Sequence, residues 1–349
     1  MSAQKIRTVI IGASGYTGGD FMRLAVPHEN IELTGLVANT HAGKPVADVF
    51  PHLRMANLPD MVTSDDINWD EVDAAICGLP HGTAQDIIST LPSSVKVIDM
   101  SADFRLRDTA VYSEWYGRSH DHADLYKEVA YGLTEHNRDD IKNARIIACP
   151  GCYPTAVLMA MLPLVKSGVI ETENMILNAA SGVSGAGRGL KQNTLFCEAG
   201  EGFSPYAIGN HRHTPEIEQE INKAAGVSDL QVTFTPHLVP MSRGELITCY
   251  LTLKGGQTIK DARAAMEEAY KDEAFIHVAP DGVTPGTQHV RGSNHCLIGL
   301  FESRVKNQLI VISTIDNLVK GSAGQALQNF NIAFGLSEQT GLEQLPLFP

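Results

Sequence analysis

The sequence predicts a two-domain α/β protein, with a doubly wound parallel sheet in the first half and an α+β domain in the second. Three observations carry the prediction. Short apolar runs alternate with helical stretches up to residue 150, the pattern of parallel strands covered on both faces. Beyond residue 150 the strand runs lengthen and some alternate with period two, as in a mixed or antiparallel sheet. Finally, 349 residues exceed what one hydrophobic core holds.

In chain order, KIRTVIIG (5–12) reads as a buried strand, followed by a glycine turn and the helix YTGGDFMRLAV. IELTGLVA (31–38), VDAAICGL (72–79), VKVIDM (95–100) and ARIIAC (144–149) supply further strands, with the helix GTAQDIISTL after VDAAICGL. The second half offers QVTFTPHLVP (231–240), GELITCYLTLKG (244–255), CLIGLFE (296–302) and QLIVISTID (308–316). Its helices are TPEIEQEINKAAG and IKDARAAMEEAYK. A last helix, NLVKGSAGQALQNFNIAFGL (317–336), follows the final strand closely and is expected to return to the first domain. The expected division is therefore 1–150 plus 317–349 against 151–316.

Composition narrows the function classes. The net charge of −13 carries no long single-sign run, which disfavours nucleic acid or an anionic membrane as partner. AVLMAMLPLV (156–165) falls well short of the ~18 apolar residues of a membrane span. The strand beginning at residue 5 leaves no room for a signal peptide. Six cysteines are too few for a disulfide framework in a chain this long, so the reducing cytoplasm is the expected compartment.

GASGYTG (12–18) spaces its glycines between a strand and a helix. Gly12, Ser14, Gly15, Tyr16, Thr17 and Gly18 are the candidate cradle for a dinucleotide diphosphate, which the free N–H groups and positive dipole end of the helix would receive. The second strand ends in ANTHAGK (38–44), where an NAD-binder places a carboxylate for the ribose hydroxyls. Asn39, Thr40, His41 and Lys44 stand there instead and suit a 2′-phosphate, which predicts NADP(H).

ACPGCYPTA (148–156) admits three readings. A structural zinc site needs about four ligands, and only one closely spaced cysteine pair exists. A thioredoxin-like disulfide belongs near the start of a small βα domain, whereas CPGC lies at the seam between two larger ones. In the third reading Cys152 opens a helix whose dipole favours the thiolate, and is a nucleophile. Cys149, ending a buried strand, is then a packed apolar thiol. A thiolate needs a proton partner, and HRHTPEIEQE (211–220) supplies His211 and His213 before a helix that Thr214 could cap, with Pro215 in its first turn. Glu216 stands within reach of the pair and could orient an imidazole. A metal held by the two histidines and Glu216 lacks a clear further ligand, and no metal is expected.

Together GASGYTG, LPHG (79–82), SADFR (101–105), PGCYPTA (150–156), SGVSGAGR (181–188), HRHTPEI (211–217), VPMSRG (239–244) and NLVKGSAGQA (317–326) resemble the N-acetyl-gamma-glutamyl-phosphate reductase family of arginine biosynthesis. The similarity spans nearly the whole chain, and PGCYPTA, SGVSGAGR and HRHTPEI in this order and spacing are highly specific. The resemblance implies a Rossmann-like NADP-binding domain and an α+β catalytic and dimerisation domain of the semialdehyde dehydrogenase type. It implies reduction of a small acyl phosphate, N-acetyl-glutamyl 5-phosphate, to the 5-semialdehyde by a homo-oligomer. Cys152 matches the family's nucleophile and His211 its acid–base residue. Pro80, His81, Ser184, Gly185 and Asn317 fall in motifs expected at the cofactor. Arg105, Arg188, Lys191, His213 and Arg243 are candidates for the substrate's carboxylate and phosphate, which guanidinium forks match. Family members usually carry Asn where Cys149 stands, a departure that leaves a Cys149–Cys152 disulfide open. Two alternatives accompany this reading: the carrier-bound aminoadipyl-phosphate reductase of lysine biosynthesis, and an NADPH-binding redox sensor that uses CPGC as a switch.

Overall fold

The computed structural model describes residues 5–348. The chain divides into two compact units, one taking the chain up to Pro150 with Ser322–Glu343, the other taking Gly151–Gly321 with the segment from Gln344. Residues 317–321 and the segment from Gln344 thus group with the second unit, where the sequence assigned them to the first.

The first unit alternates strand and helix: β1 (Ile6–Ile11), α1 (Tyr16–Ala25), β2 (Ile31–Val37), α2 (Val46–Val49), β3 (Met61–Val62), β4 (Ala74–Cys77), α3 (Ala84–Thr90), β5 (Lys96–Asp99), α4 (Thr109–Tyr116), β6 (Val129–Tyr131), α5 (Thr134–Asn143) and β7 (Ile146–Ala148). Among the described residues these seven strands form one sheet in the order β3-β2-β1-β4-β5-β7-β6, every pairing parallel. Val9, Ile11, Ala75, Cys77, Val97 and Ile146 bury one sheet face beneath Ala84 and Ile88 of α3. That is why these strands read as continuous apolar runs rather than alternating ones. The strand order reverses between β1 and β4, and ligands of such sheets bind at that reversal, beyond the carboxyl ends of the strands. The short α4, the polar α5 and the very short β3 and β6 give no strong period and went unread in the sequence.

The second unit opens with α6 (Cys152–Ser167), whose residues from Tyr153 to Val165 are all buried. A helix apolar all round has to lie inside its unit, and α6 packs on α8 (Thr214–Ala225), α9 (Ile259–Tyr270), β11 (Glu245–Thr252) and β14 (Gln308–Ile315). Gly168, at φ 68°, ends it in the left-handed conformation that glycine takes without strain. The unit's sheet runs β12-β13-β14-β11-β8-β10-β9, where β8 is Met175–Gly182, β9 Ser204–Pro205, β10 Val232–Val239, β12 Ile276–Val278 and β13 Cys296–Glu302. The short α7 (Phe196–Ala199) precedes β9. β8 pairs parallel with β10 and antiparallel with β11, so the sheet is mixed. β8 is a central strand absent from the sequence reading. Its sequence MILNAASG ends in Ala, Ser and Gly, which are poor strand formers, and pairing on both sides overrides that propensity.

The final helix starts later than expected. Val319–Ala323 is a π-helical turn and α10 proper spans Gly324–Ala333, joining the first unit beside α1 and α5. Asn329 and Gln325 of α10 donate to the Gly132 carbonyl at 2.8 and 3.0 Å, and Thr134 donates to Asn329 Oδ1 at 2.7 Å. Among the described residues no helix is long and apolar enough to cross a membrane.

Candidate active site

In the first unit the glycine turn lies between β1 and α1, at the β1/β4 reversal. Gly12 has φ +85°, and a Cβ there would stand 2.5 Å from the Gly78 carbonyl oxygen. A Cβ on Gly18 would meet the Gly12 oxygen at 2.7 Å, so both positions admit only glycine. Gly15 caps α1 without a side-chain hydrogen bond, and the first turn carries no acidic residue. A helix start without an acidic residue in its first turn fits a dinucleotide diphosphate. Thr40 and His41 form an exposed 3₁₀ turn after β2, joined by a 2.9 Å hydrogen bond between Thr40 Oγ1 and His41 Nδ1. Ser14 lies in the turn itself, Pro80 and His81 are exposed beyond β4, and the His81 ring stands 5.6 Å from Tyr116.

Asp103 of SADFR accepts from the backbone N–H groups of Gly82, Ala84 and Gln85 and from the Tyr112 hydroxyl, which ties LPHG to the start of α3. Arg105, expected at the substrate, is 7% exposed and donates to the carbonyls of Cys149 and Met100 at 2.8 and 2.9 Å. It braces the strand end that leads into Cys152. Cys149 is buried, accepts from Asn329 Nδ2 at 3.4 Å, and burial pushes its thiol up to about 12. Cys149 and Cys152 are not joined by a disulfide.

In the second unit Cys152 is the first residue of α6, with Gly151 as its cap. A partly exposed thiol there faces the positive end of the helix dipole. Its chain neighbours each carry one of the two histidines. The His213 ring lies over Gly151, where a Cβ would sit, and the His211 ring stands edge-on to Tyr153 at 5.5 Å. Tyr206 and Phe234, each 5.4 Å from His211, complete an aromatic cage. Burial, followed by the charge of Arg212, lowers the His211 pKa to about 4, so the ring is neutral near pH 7. The His213 backbone N–H donates to His211 Nδ1 at 3.1 Å, which leaves the ring proton on Nε2 as a free-standing donor.

Glu216 is 1% exposed, and its Oε1 accepts from the Gly151 N–H at 2.9 Å. The carboxylate that the sequence offered as an orienter of imidazole holds the turn before Cys152 through that bond. Helix α8 is capped at His213 rather than Thr214, with Pro215 in its first turn. Asn317 precedes the π-turn instead of opening a helix. It accepts from Gly244 N–H at 2.9 Å and donates to Ser184 Oγ at 3.0 Å, with Gly185 alongside. Arg243 pairs with buried Asp316 at 3.3 Å, while Arg188 and Lys191 are exposed on the loop after β8, where Lys191 donates to the Ala186 carbonyl. Among the described residues no group of three or more His, Cys, Asp or Glu is placed to hold a metal ion. A thiol at a helix start, a neutral imidazole donor and backbone N–H groups can perform acyl transfer through sulfur and stabilise an oxyanion.

Comparison with known proteins bears on this arrangement. Residues 7–144 match the model described as "Semialdehyde dehydrogenase, NAD binding domain", and 152–317 the one described as "Semialdehyde dehydrogenase, dimerisation domain". A protein of Arabidopsis thaliana named "Probable N-acetyl-gamma-glutamyl-phosphate reductase, chloroplastic" is 49% identical over 99% of this chain and 86% of its own length. The N-acetyl-gamma-glutamyl-phosphate reductase of Rhodospirillum rubrum is 47% identical over 99% of this chain and the whole of its own. The chain belongs to the N-acetyl-gamma-glutamyl-phosphate reductase family. Its fold is shared beyond that family: aspartate semialdehyde dehydrogenase II of Vibrio cholerae superposes with a TM-score of 0.70 at 17% identity, over 95% of this chain and 99% of that one. The aspartate semialdehyde dehydrogenase of Candida albicans, solved with NADP, gives 0.67 at 20% identity, over 94% and 98%.

In this member of the reductase family, sequence reasoning missed Glu245, Tyr153 and Tyr206. Tyr206 donates to the Tyr153 hydroxyl at 3.1 Å, and Tyr153 to the His237 carbonyl at 3.4 Å. Glu245 had a readable signal. In ELITCYLT it shares the buried phase of β11 with Ile247, Cys249 and Leu251, and a carboxylate there calls for a reason.

Proposed function

We propose that the chain reduces N-acetyl-L-glutamyl 5-phosphate to N-acetyl-L-glutamate 5-semialdehyde with NADPH, releasing phosphate, through a thioester on Cys152. One observation carries this reading: Cys152 heads α6 between residues that hold His211 and His213, in a chain 47–49% identical to relatives bearing that reductase's name. The Cys152 thiolate attacks the acyl carbon and phosphate departs with the bonding pair. A thioester accepts hydride more readily than a carboxylate, so the covalent route divides one difficult step into two. NADPH bound by the first unit's glycine turn would supply that hydride. The oxyanion formed on the Cys152 adduct then meets the Nε2–H of His211 and the N–H groups at the start of α6. Collapse of the adduct frees the aldehyde and the thiolate.

Arg243, Arg188, Lys191 and His213 supply positive charge or donors for the substrate's two anionic ends, with Asn317 and Ser184–Gly185 toward the nicotinamide. Thr40, His41 and Lys44 select NADP(H) by offering hydroxyl, imidazole and ammonium where a carboxylate would repel the 2′-phosphate. The matched dimerisation domain supports a homo-oligomer, and six cysteines outside any disulfide suit a reducing cytoplasm. The names of the relatives favour neither the carrier-bound lysine-pathway enzyme nor the redox sensor.

The test is a reverse assay with N-acetylglutamate semialdehyde, NADP and phosphate, following reduced cofactor. Turnover at least 100-fold above that with aspartate semialdehyde is expected. Equal turnover, or none, overturns the substrate assignment.

A further inference from the structure

Three strands of the second unit's sheet meet at one end. β11 starts at Glu245, which pairs with Ser181 near the end of β8 and with Ile315, the last residue of β14. The turns that continue from these strand ends, 182–185, 241–244 and 316–321, are therefore neighbours. Backbone bonds knit the first two: the N–H groups of Gly182 and Ser184 donate to the Gly244 and Ser242 carbonyls at 2.9 and 3.3 Å. The contact leaves no room for a side chain, since a Cβ on Gly182 would stand 2.8 Å from the Met241 carbonyl oxygen. Asn317 joins the third turn to both, accepting from Gly244 and donating to Ser184.

Asp316, with no exposed surface, stands at the centre of this knot. Its Oδ2 accepts from the Gly292 N–H at 2.7 Å. Its Oδ1 accepts from the N–H groups of Leu318 and Val319 at 2.9 and 3.2 Å and from Arg243 Nη1 at 3.3 Å. Its carbonyl accepts from the Gly321 N–H at 3.0 Å, a bond spanning five residues that leads into the π-helical turn Val319–Ala323. Such turns are frequent at functional sites. Here the turn lies against the head of α6: a Cβ on Gly321 would stand 2.7 Å from the Cβ and 3.2 Å from the Cα of Cys152. Only a residue without a side chain fits there. Arg243 is partly exposed, and a guanidinium carries five N–H donors, more than one carboxylate oxygen can occupy.

We infer that Asp316 is a positioning residue that sets the spacing between Arg243 and Cys152, the one holding an anionic end of the reactants and the other forming the bond to carbon. The inference rests on the roles proposed above for those two residues. Asp316 acts through them: its carboxylate aims the guanidinium, and its carbonyl shapes the turn whose Gly321 backs the nucleophile. Anion and reacting carbon must be placed together for attack, and a misplacement of about 1 Å can cost 10²-fold in rate. A single buried residue bonded to both parts keeps their separation fixed.

The test is steady-state kinetics with N-acetylglutamate semialdehyde, NADP and phosphate in wild type, Arg243→Ala, Asp316→Asn and Gly321→Ala. Arg243→Ala identifies the anion, by raising KM either for the semialdehyde or for phosphate. Asp316→Asn is expected to raise that same KM about 10-fold or more, the scale of a charged hydrogen bond, and to add little in the Arg243→Ala background. The sign is decisive. Removing a negative charge that acted only through its field would strengthen anion binding and lower that KM. Gly321→Ala is expected to lower kcat about 10²-fold with both KM values within a few-fold, because its methyl displaces Cys152. An Asp316→Asn KM that is unchanged or lower, or a Gly321→Ala kcat within twofold of wild type, overturns the inference. Should Asp316→Asn not fold, Asp316→Glu, which keeps the charge but moves it, is read on the same KM beside Gly321→Ala. Unaltered KM values in Arg243→Ala, or turnover by Cys152→Ala, instead overturn the roles on which the inference rests.

Discussion

The Gly151 backbone N–H and the Glu216 carboxylate, 2.9 Å apart, join the residue before Cys152 to α8. Removing the acceptor leaves a buried N–H unpaired. Glu216→Ala is expected to lower stability by about 1–3 kcal/mol, with Glu216→Gln milder because its amide oxygen still accepts. Urea denaturation measures both, and kcat should fall in the same order.

His211 makes two linked predictions. His211→Asn should lower kcat by about 10²–10⁴ while the dissociation constant for NADPH stays within a few-fold of wild type. A severe loss in His213→Asn with a mild one in His211→Asn would exchange their roles. The second prediction concerns acid stability. The folded His211 pKa of about 4 lies below the ordinary 6.5, so the unfolded chain takes up the proton first. Stability is lost as pH falls from 6.5 through 4. The melting temperature of His211→Asn should therefore decline less steeply than wild type across that window.

The proposed cofactor choice rests on the tip of β2. With Thr40, His41 and Lys44 in place of a carboxylate, kcat/KM should favour NADPH over NADH. Thr40→Ala combined with Lys44→Ala removes a hydroxyl and a charge from the 2′-phosphate. It should raise KM for NADPH roughly 10- to 100-fold, the worth of about 1.5–3 kcal/mol in charged hydrogen bonds, and leave KM for NADH nearly unchanged.

Asp103 is a stability residue by geometry. It satisfies three backbone N–H groups at the head of α3 and the Tyr112 hydroxyl. Asp103→Ala orphans all four, and a loss of at least 2–3 kcal/mol is expected in thermal or denaturant unfolding.

Much of this was legible in the residues. β1, β2, β4 and β5 are dense in Val and Ile and bounded by turns, and Gly12 marks a position where only glycine fits. Cys152 at a helix start followed from Pro150-Gly151 breaking the strand before an apolar run. What escaped was set by tertiary pairing. β8 is a strand because β10 and β11 hydrogen-bond to it, despite Ala179, Ala180 and Gly182. Arg105 looks like an anion binder in sequence, yet its guanidinium serves backbone carbonyls, a choice fixed only once β7 ends beside it. Asn317 sits in a helical-looking run, but a π-turn intervenes and its amide bridges two loops far apart in sequence. Glu245 was overlooked because a single carboxylate at a strand start reads as solvated until the period-two phase is followed through Leu251.

The covalent step is tested most directly by intact-mass analysis of enzyme mixed with N-acetylglutamate semialdehyde and NADP in the absence of phosphate. Hydride leaves the adduct but nothing is present to release the acyl group. An N-acetylglutamyl mass should accumulate on the peptide carrying Cys152 and vanish when phosphate is added. Reduced cofactor appearing in one-enzyme equivalents with no added mass at Cys152 would contradict the account.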